Sequence, residues 1–102
     1  MTEDFIVEDQ SAVAEFLGDP ATHGVAAPKR IDTHGAMVFI TGDTVYKVKR
    51  AVQFSFMDFS TLEKRREALN EECRINRRTA PSLYLGVAPI LRAGDGFRLG
   101  EI

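Results

Sequence analysis

Cys73 is the only cysteine in the chain, so no disulfide can close within it. Only two histidines occur, His23 and His34. They lie far apart in sequence, in turn-like surroundings, and no Cys/His spacing suggests a metal site. No apolar run approaches the roughly 18 residues that span a bilayer. The opening MTEDFIVEDQ is acidic and lacks the basic start and apolar centre of a signal peptide. Positive charge is also in deficit: 13 Lys and Arg stand against 15 Asp and Glu. That balance disfavours nucleic acid as a partner, because binding by counterion release calls for a basic surface. Together these absences imply a cytoplasmic, soluble protein with no membrane partner.

What is present suits a single globular unit. At 102 residues there is room for one core, and 44% hydrophobic with 27% charged residues excludes wholesale disorder. A short helix is expected over about Asp9 to Leu17. There Val13, Phe16 and Leu17 recur at helical spacing, Asp9 or Ser11 can cap the start, and Gly18 and Pro20 mark the stop. Asp19 to Pro28 reads as a connector. Strands are expected over Lys29 to Thr33, Ala36 to Thr41 and Thr44 to Val52, the last two joined by a Gly42-Asp43 turn. After the aromatic segment Gln53 to Phe59, Ser60-Thr61-Leu62-Glu63 has the form of a capping box. It predicts a helix from Ser60 to about Arg78. Leu83 to Leu91 and Gly96 to Ile102 complete the pattern as two further strands. The expected fold is α+β: a mainly antiparallel five-stranded sheet with the long helix packed on it and the short N-terminal helix at an edge or end. Residues 1–28 form the N-terminal helix and connector, and residues 29–102 the main compact unit.

Chemistry concentrates on the third strand and the long helix. Side chains alternate along a strand, so Val45, Lys47 and Lys49 share one face and Tyr46, Val48 and Arg50 the other. A lysine there can hold its ammonium over the sheet for a polyphosphate, or can simply be solvated. On the helix, Leu62, Leu69 and Cys73 fall in an apolar stripe, with Ala68 and Ile75 beside it and Glu63, Glu67 and Glu71 opposite. Glu72 falls inside the apolar sector, where a carboxylate is costly unless paired or able to reach water. Lys47 and Arg65 are both candidate partners. Arg74, Arg77 and Arg78 close the helix, where positive charge suits the dipole's negative end. Phe54, Phe56, Met57 and Phe59 are expected to pack the strand-to-helix connection against the sheet.

A strand lysine followed by a helix glutamate, in the order three strands, helix, two strands, resembles the N-terminal lobe of the protein-kinase-like superfamily. The stretches IDTHGAMVFITGDTVYKVKRAV and MDFSTLEKRREALNEECRINRRTAPSLYLGVAPI look like the opening of bacterial proteins of the aminoglycoside phosphotransferase family. The resemblance covers about Lys29 to Ile90. It implies an ATP-binding small lobe in which Lys47 contacts the nucleotide phosphates, Glu72 orients it, and Gly35 belongs to the turn that covers them. Lys49 is the alternative phosphate contact. The covering turn, Thr33-His34-Gly35-Ala36, has one glycine where protein kinases have G-x-G-x-x-G. No H-x-D or D-F-G segment is present. The resemblance therefore implies that the catalytic base and the Mg²⁺ site belong to a second lobe, the expected partner, and it leaves the phosphate acceptor unspecified. The lobe would be incomplete for catalysis on its own. A different class of function is also open: a non-catalytic module binding protein or RNA through Lys47, Lys49, Arg50 and the arginines at the helix end.

Overall fold

Phe39 is the most deeply buried large side chain, and the fold is laid out around it. The computed structural model describes residues 6–24 and 26–102. Residues 1–5 of the expected N-terminal unit and Val25 of the expected connector lie outside the described residues. Helix α1 spans Ser11–Gly18 and is followed by a one-turn helix, α2, Pro20–His23. Strands β1 (Lys29–Asp32), β2 (Ala36–Thr41) and β3 (Thr44–Lys49) come next, then two short strands, β4 (Gln53–Phe54) and β5 (Met57–Asp58). The long helix α3 covers Leu62–Asn76, and β6 (Ile90–Ala93) and β7 (Gly96–Leu99) close the order.

The α+β character and the antiparallel pairing agree with the expectation, but the single five-stranded sheet does not form. Among the described residues three sheets are present instead: β1-β2-β3, β4-β5 and β6-β7. In the first, Lys29 pairs with Ile40 and Val38 with Lys47. The β2–β3 hairpin closes on Thr41 and Thr44, so Gly42-Asp43 is its two-residue loop. Gly42 takes φ +65, which suits glycine at the first position of a primed hairpin turn. The expected strand Leu83–Leu91 is reduced to its last two residues, which open β6. Pro81 and Pro89 have no N–H to give a ladder, and Gly86 at φ +146 breaks the pleat between them. Leu83 and Leu85 consequently lie exposed.

Helix α1 covers a face of the sheet, not an edge or end as expected. Ala14 and Leu17 bury against Met37 and Phe39, with Val13, Phe16, Tyr46, Val48, Ile90 and Leu99 around them. The N-terminal helix and the sheet therefore share one core. The Phe16 and Phe97 rings, 5.8 Å apart, tie β7 to the same helix. Asp19 caps α2 by accepting from the Ala21 amide, and Gly24 ends it in the left-handed region.

The capping box shifts by one residue. Thr61, not Ser60, is the N-cap of α3, its hydroxyl accepting from the Lys64 amide at 3.1 Å. The Ser60 amide instead donates to Asp58 at 3.0 Å, closing the turn out of β5. The Gln53–Phe59 segment is more regular than its sequence suggests, because Gln53 pairs with Asp58 and Phe54 with Met57.

Candidate functional site

On the sheet face opposite α1, β3 presents two ammonium groups and α3 one carboxylate. Lys47 Nζ lies 3.2 Å from Glu72 Oε2, and Lys49 Nζ lies 3.1 Å from Glu72 Oε1. The local sequence explains the convergence. Lys47 and Lys49 are two apart on one strand and share a face, while the Thr61 cap fixes where α3 begins and so which side Glu72 occupies. The lysines differ in setting. The Lys49 side chain is 12% exposed and sits over the Phe59 ring, its Nζ 5.1 Å from the centroid, whereas the Lys47 side chain is 45% exposed. Both candidate lysines thus meet the same glutamate, and the more buried one is Lys49.

Burial is the largest single influence on Glu72 and acts to raise its pKa. The hydrogen bond and charge of Lys49, followed by those of Lys47, together outweigh it and hold the carboxyl below its usual value. The cluster keeps one positive charge in excess. Each ammonium has three donors, so neither is exhausted by one carboxylate. Such a group can accept an anion at the Lys47 ammonium, the more exposed of the two.

Arg65, the other candidate partner for Glu72, turns elsewhere. It is the buried residue of α3, at 6% exposure, and donates to the Phe59 carbonyl at 2.8 Å and to Glu8 at 3.1 Å. The inner side of the helix therefore differs from the stripe read off the sequence. Ala68, Leu69, Glu72, Cys73 and Asn76 are half-buried along the line that starts at Arg65, while Leu62 and Ile75 face solvent. Apolar periodicity misjudged the helix's rotation because its firmest attachments are charged. The available signal was spacing: Arg65 and Glu72 are seven residues apart, two turns along one face.

Gly35 lies in the β1–β2 turn, and the reason for a glycine there is steric. A β-carbon would stand 2.9 Å from Met57 Sδ and 3.3 Å from Phe59 Cε2. Arg50 fixes the turn from behind: its amide donates to Gly35 O at 2.8 Å, and its Nη1 donates to Thr33 O and His34 O, each at 3.2 Å. Sequence reasoning did not find this role for Arg50, because the turn carbonyls come within its reach only when β3 pairs with β2.

The remaining groups are structural. His23 Nε2 is 2.7 Å from Leu17 O, and its ring lies 5.2 Å from that of Tyr46. The His34 ring neighbours Phe54 at 6.1 Å. Phe56 stacks on Phe54 at 5.4 Å, yet it is exposed rather than packed against the sheet as expected. Cys73 is half-buried. Among the described residues no group of three or more His, Cys, Asp or Glu could hold a metal ion, and no helix is long and apolar enough to cross a membrane.

Set against known proteins, the chain matches no family model and no solved structure. Over 65 residues, 64% of its length, it is 42% identical to uncharacterized proteins of Mycobacterium tuberculosis and Mycobacterium bovis. The chain spans 13% of the length of these curated relatives.

Proposed function

We propose that this domain is the nucleotide-binding small lobe of a bacterial, cytoplasmic kinase-like phosphotransferase, of the kind found in the aminoglycoside phosphotransferase family. The observation that carries the reading is the Lys47–Glu72–Lys49 cluster, in which strand ammonium groups and a helix carboxylate meet on one face of an antiparallel sheet. In phosphoryl transfer of this class the protein mainly positions the phosphates and neutralises their charge. Lys47 or Lys49 would contact the α- and β-phosphates of ATP, and Glu72 would hold the ammonium in place. The turn around Gly35, fixed by Arg50, would lie over the phosphates. The described residues offer donors for a polyphosphate and no grouping for Mg²⁺, so the proposal assigns the metal and the catalytic base to a second lobe. The size of the mycobacterial relatives leaves ample room for one. The acceptor belongs to that lobe as well, and the word "aminoglycoside" does not name it.

The alternative, a non-catalytic module binding protein or RNA, would draw on Lys47, Lys49, Arg50 and the arginines at the helix end. Of these, Arg50 is committed to the turn carbonyls and Arg74 to Glu71, whereas the phosphotransferase reading calls only on the two lysines and Glu72.

The test is substitution in the protein that carries both lobes. Lys47→Ala, Lys49→Ala and Glu72→Gln are each assayed for ATP affinity and turnover. Loss of at least one of the two ammonium groups should lower kcat/KM for ATP by about 100-fold, the scale for removing a group that meets developing charge. Unchanged affinity and turnover in both lysine variants would remove the cluster from its assigned role. An acyl-phosphate derivative of ATP, which acylates lysines near bound phosphates, should mark Lys47 or Lys49 ahead of Lys29 and Lys64.

A further inference from the structure

The segment preceding α1 is bound to the sheet and to α3 at the same time. Ile6 bridges Val52, and the Val7 amide donates to Ala51 O at 2.9 Å, so residues 6–7 run as a short antiparallel extension beside the chain leaving β3. Gln10 secures the same place from the other end, accepting from the Ala51 amide at 2.7 Å and donating to Lys49 O at 3.1 Å. Between them Glu8 reaches Arg65 of α3 at 3.1 Å.

Helix α3 has few other attachments. Its apolar residues Leu62 and Ile75 lie exposed. Lys64 pairs with Asp58 at the first turn, and Glu71 with Arg74 on the outer face. Along its inner side Ala68, Leu69, Cys73 and Asn76 are only half-buried, and among the described residues the ion pairs that join that side to the body of the domain are those of Arg65 at one level and Glu72 two turns further on. A helix with two ion-paired anchors and only half-buried packing on one face can pivot about either. Whether Glu72 reaches the lysines therefore depends on how Arg65 is held.

We propose that Arg65 is a positioning residue for the Lys47–Glu72–Lys49 cluster, and that the Ile6–Gln10 strap, acting through Glu8, sets whether α3 holds Glu72 against β3. The strap is then a regulatory element of the site: a partner or modification that draws it off the Ala51–Val52 edge would release the glutamate. The regulatory meaning rests on the phosphotransferase reading; the coupling between strap and cluster does not.

The experiment reads the cluster directly in the chain as it stands. The Glu72 carboxyl is titrated by carbon-13 NMR in the unaltered protein, in Glu8→Ala, in Arg65→Lys and in Glu71→Ala. Glu8 is half-exposed, so its truncation leaves the core of α1 and β2 intact; Arg65→Lys keeps the charge and loses the planar fork that serves Glu8 and Phe59 O together. Coupling predicts that the Glu72 midpoint moves up towards the ordinary glutamate value in Glu8→Ala and Arg65→Lys, as Lys49 and Lys47 separate from it. In Glu71→Ala, which breaks only the outer pair, it should stay where it is. A Glu72 midpoint unmoved by Glu8→Ala, or moved equally by Glu71→Ala, overturns the proposal. ATP binding measured on the two-lobe protein separates this from the preceding section: a shifted midpoint with ATP affinity untouched supports the coupling and sinks the phosphotransferase reading, whereas an unmoved midpoint with lysine-dependent ATP binding does the reverse.

Discussion

The two faces of the β1-β2-β3 sheet are covered in opposite ways. On one, α1 presses Ala14 and Leu17 onto Met37 and Phe39, and apolar burial holds the contact. On the other, α3 is attached by Arg65 to Glu8 and the Phe59 carbonyl, and by Glu72 to two lysines. An apolar contact is non-directional, is roughly proportional to area and is not weakened by charge screening. Ion pairs with exposed partners contribute only about 0–1 kcal/mol each and weaken with salt. The α1 face therefore supplies stability, and the α3 face supplies a geometry that can be adjusted at little cost. On the proposed reading, the face that accepts and releases a charged ligand is the second.

Breaking the comparison on its strong side should give the largest effect. Phe39→Ala removes a fully buried ring from under α1, and denaturant unfolding should show a loss of about 3–5 kcal/mol. Next in size is Thr61→Ala, which removes the hydroxyl accepting from the Lys64 amide. A loss of about 1 kcal/mol is expected, with fraying confined to the first turn of α3 in hydrogen exchange.

Smaller still is the pH dependence of the charged face. Glu72 has a folded-state pKa below its unfolded one, so its contribution is complete above the unfolded value and fades as pH falls through the folded value. Glu72→Gln should flatten the acid limb of the stability curve in that window, because it removes at neutral pH and above the contribution that the unaltered protein loses only in acid. Asp58 behaves in the same sense. The hydrogen bond from Lys64, then those from Ser60, lower it to about 2, so its contribution should disappear only as pH falls from the ordinary aspartate range to about 2. Asp58 is solvent-facing, and Asp58→Asn should be the mildest of these substitutions. Salt sharpens the contrast without any mutation. Raising ionic strength from 0.1 to 1 M shortens the screening length from about 10 to about 3 Å. Amide exchange in α3 should accelerate while that of α1 and β2 holds steady; equal acceleration in both helices would remove the distinction.

Local signals carried much of the fold. The extended-structure preference of Val38, Phe39 and Ile40 marked β2 at its observed bounds, Ala36–Thr41, and Gly42-Asp43 marked the hairpin. Glu72 was legible as a misfit, a carboxylate in an apolar sector, and that misfit pointed to Lys47 or Arg65; the second lysine it meets, Lys49, was not among the expected partners. Three features were not legible in the same way. The capping residue moved from Ser60 to Thr61 because Asp58 took the Ser60 amide, a competition that sequence spacing leaves open. The inner side of α3 was misjudged because Arg65 is buried by its partners and not by its own polarity. The β6–β7 hairpin stayed apart from the main sheet because two prolines and a left-handed glycine interrupt the chain that would have joined them.

By itself the sequence determined the things that depend on neighbours in the chain: strand alternation, turn position, the existence of α3, and the pairing of Lys47 with Lys49 on one side of β3. Only the tertiary structure decided what those groups meet, because ion pairs and shared cores join residues tens of positions apart. Glu72 pairs with lysines 23 and 25 residues away, and Arg65 with Glu8 at a separation of 57. Periodicity has no reach over such distances; the packing of two helices on opposite faces of one sheet does.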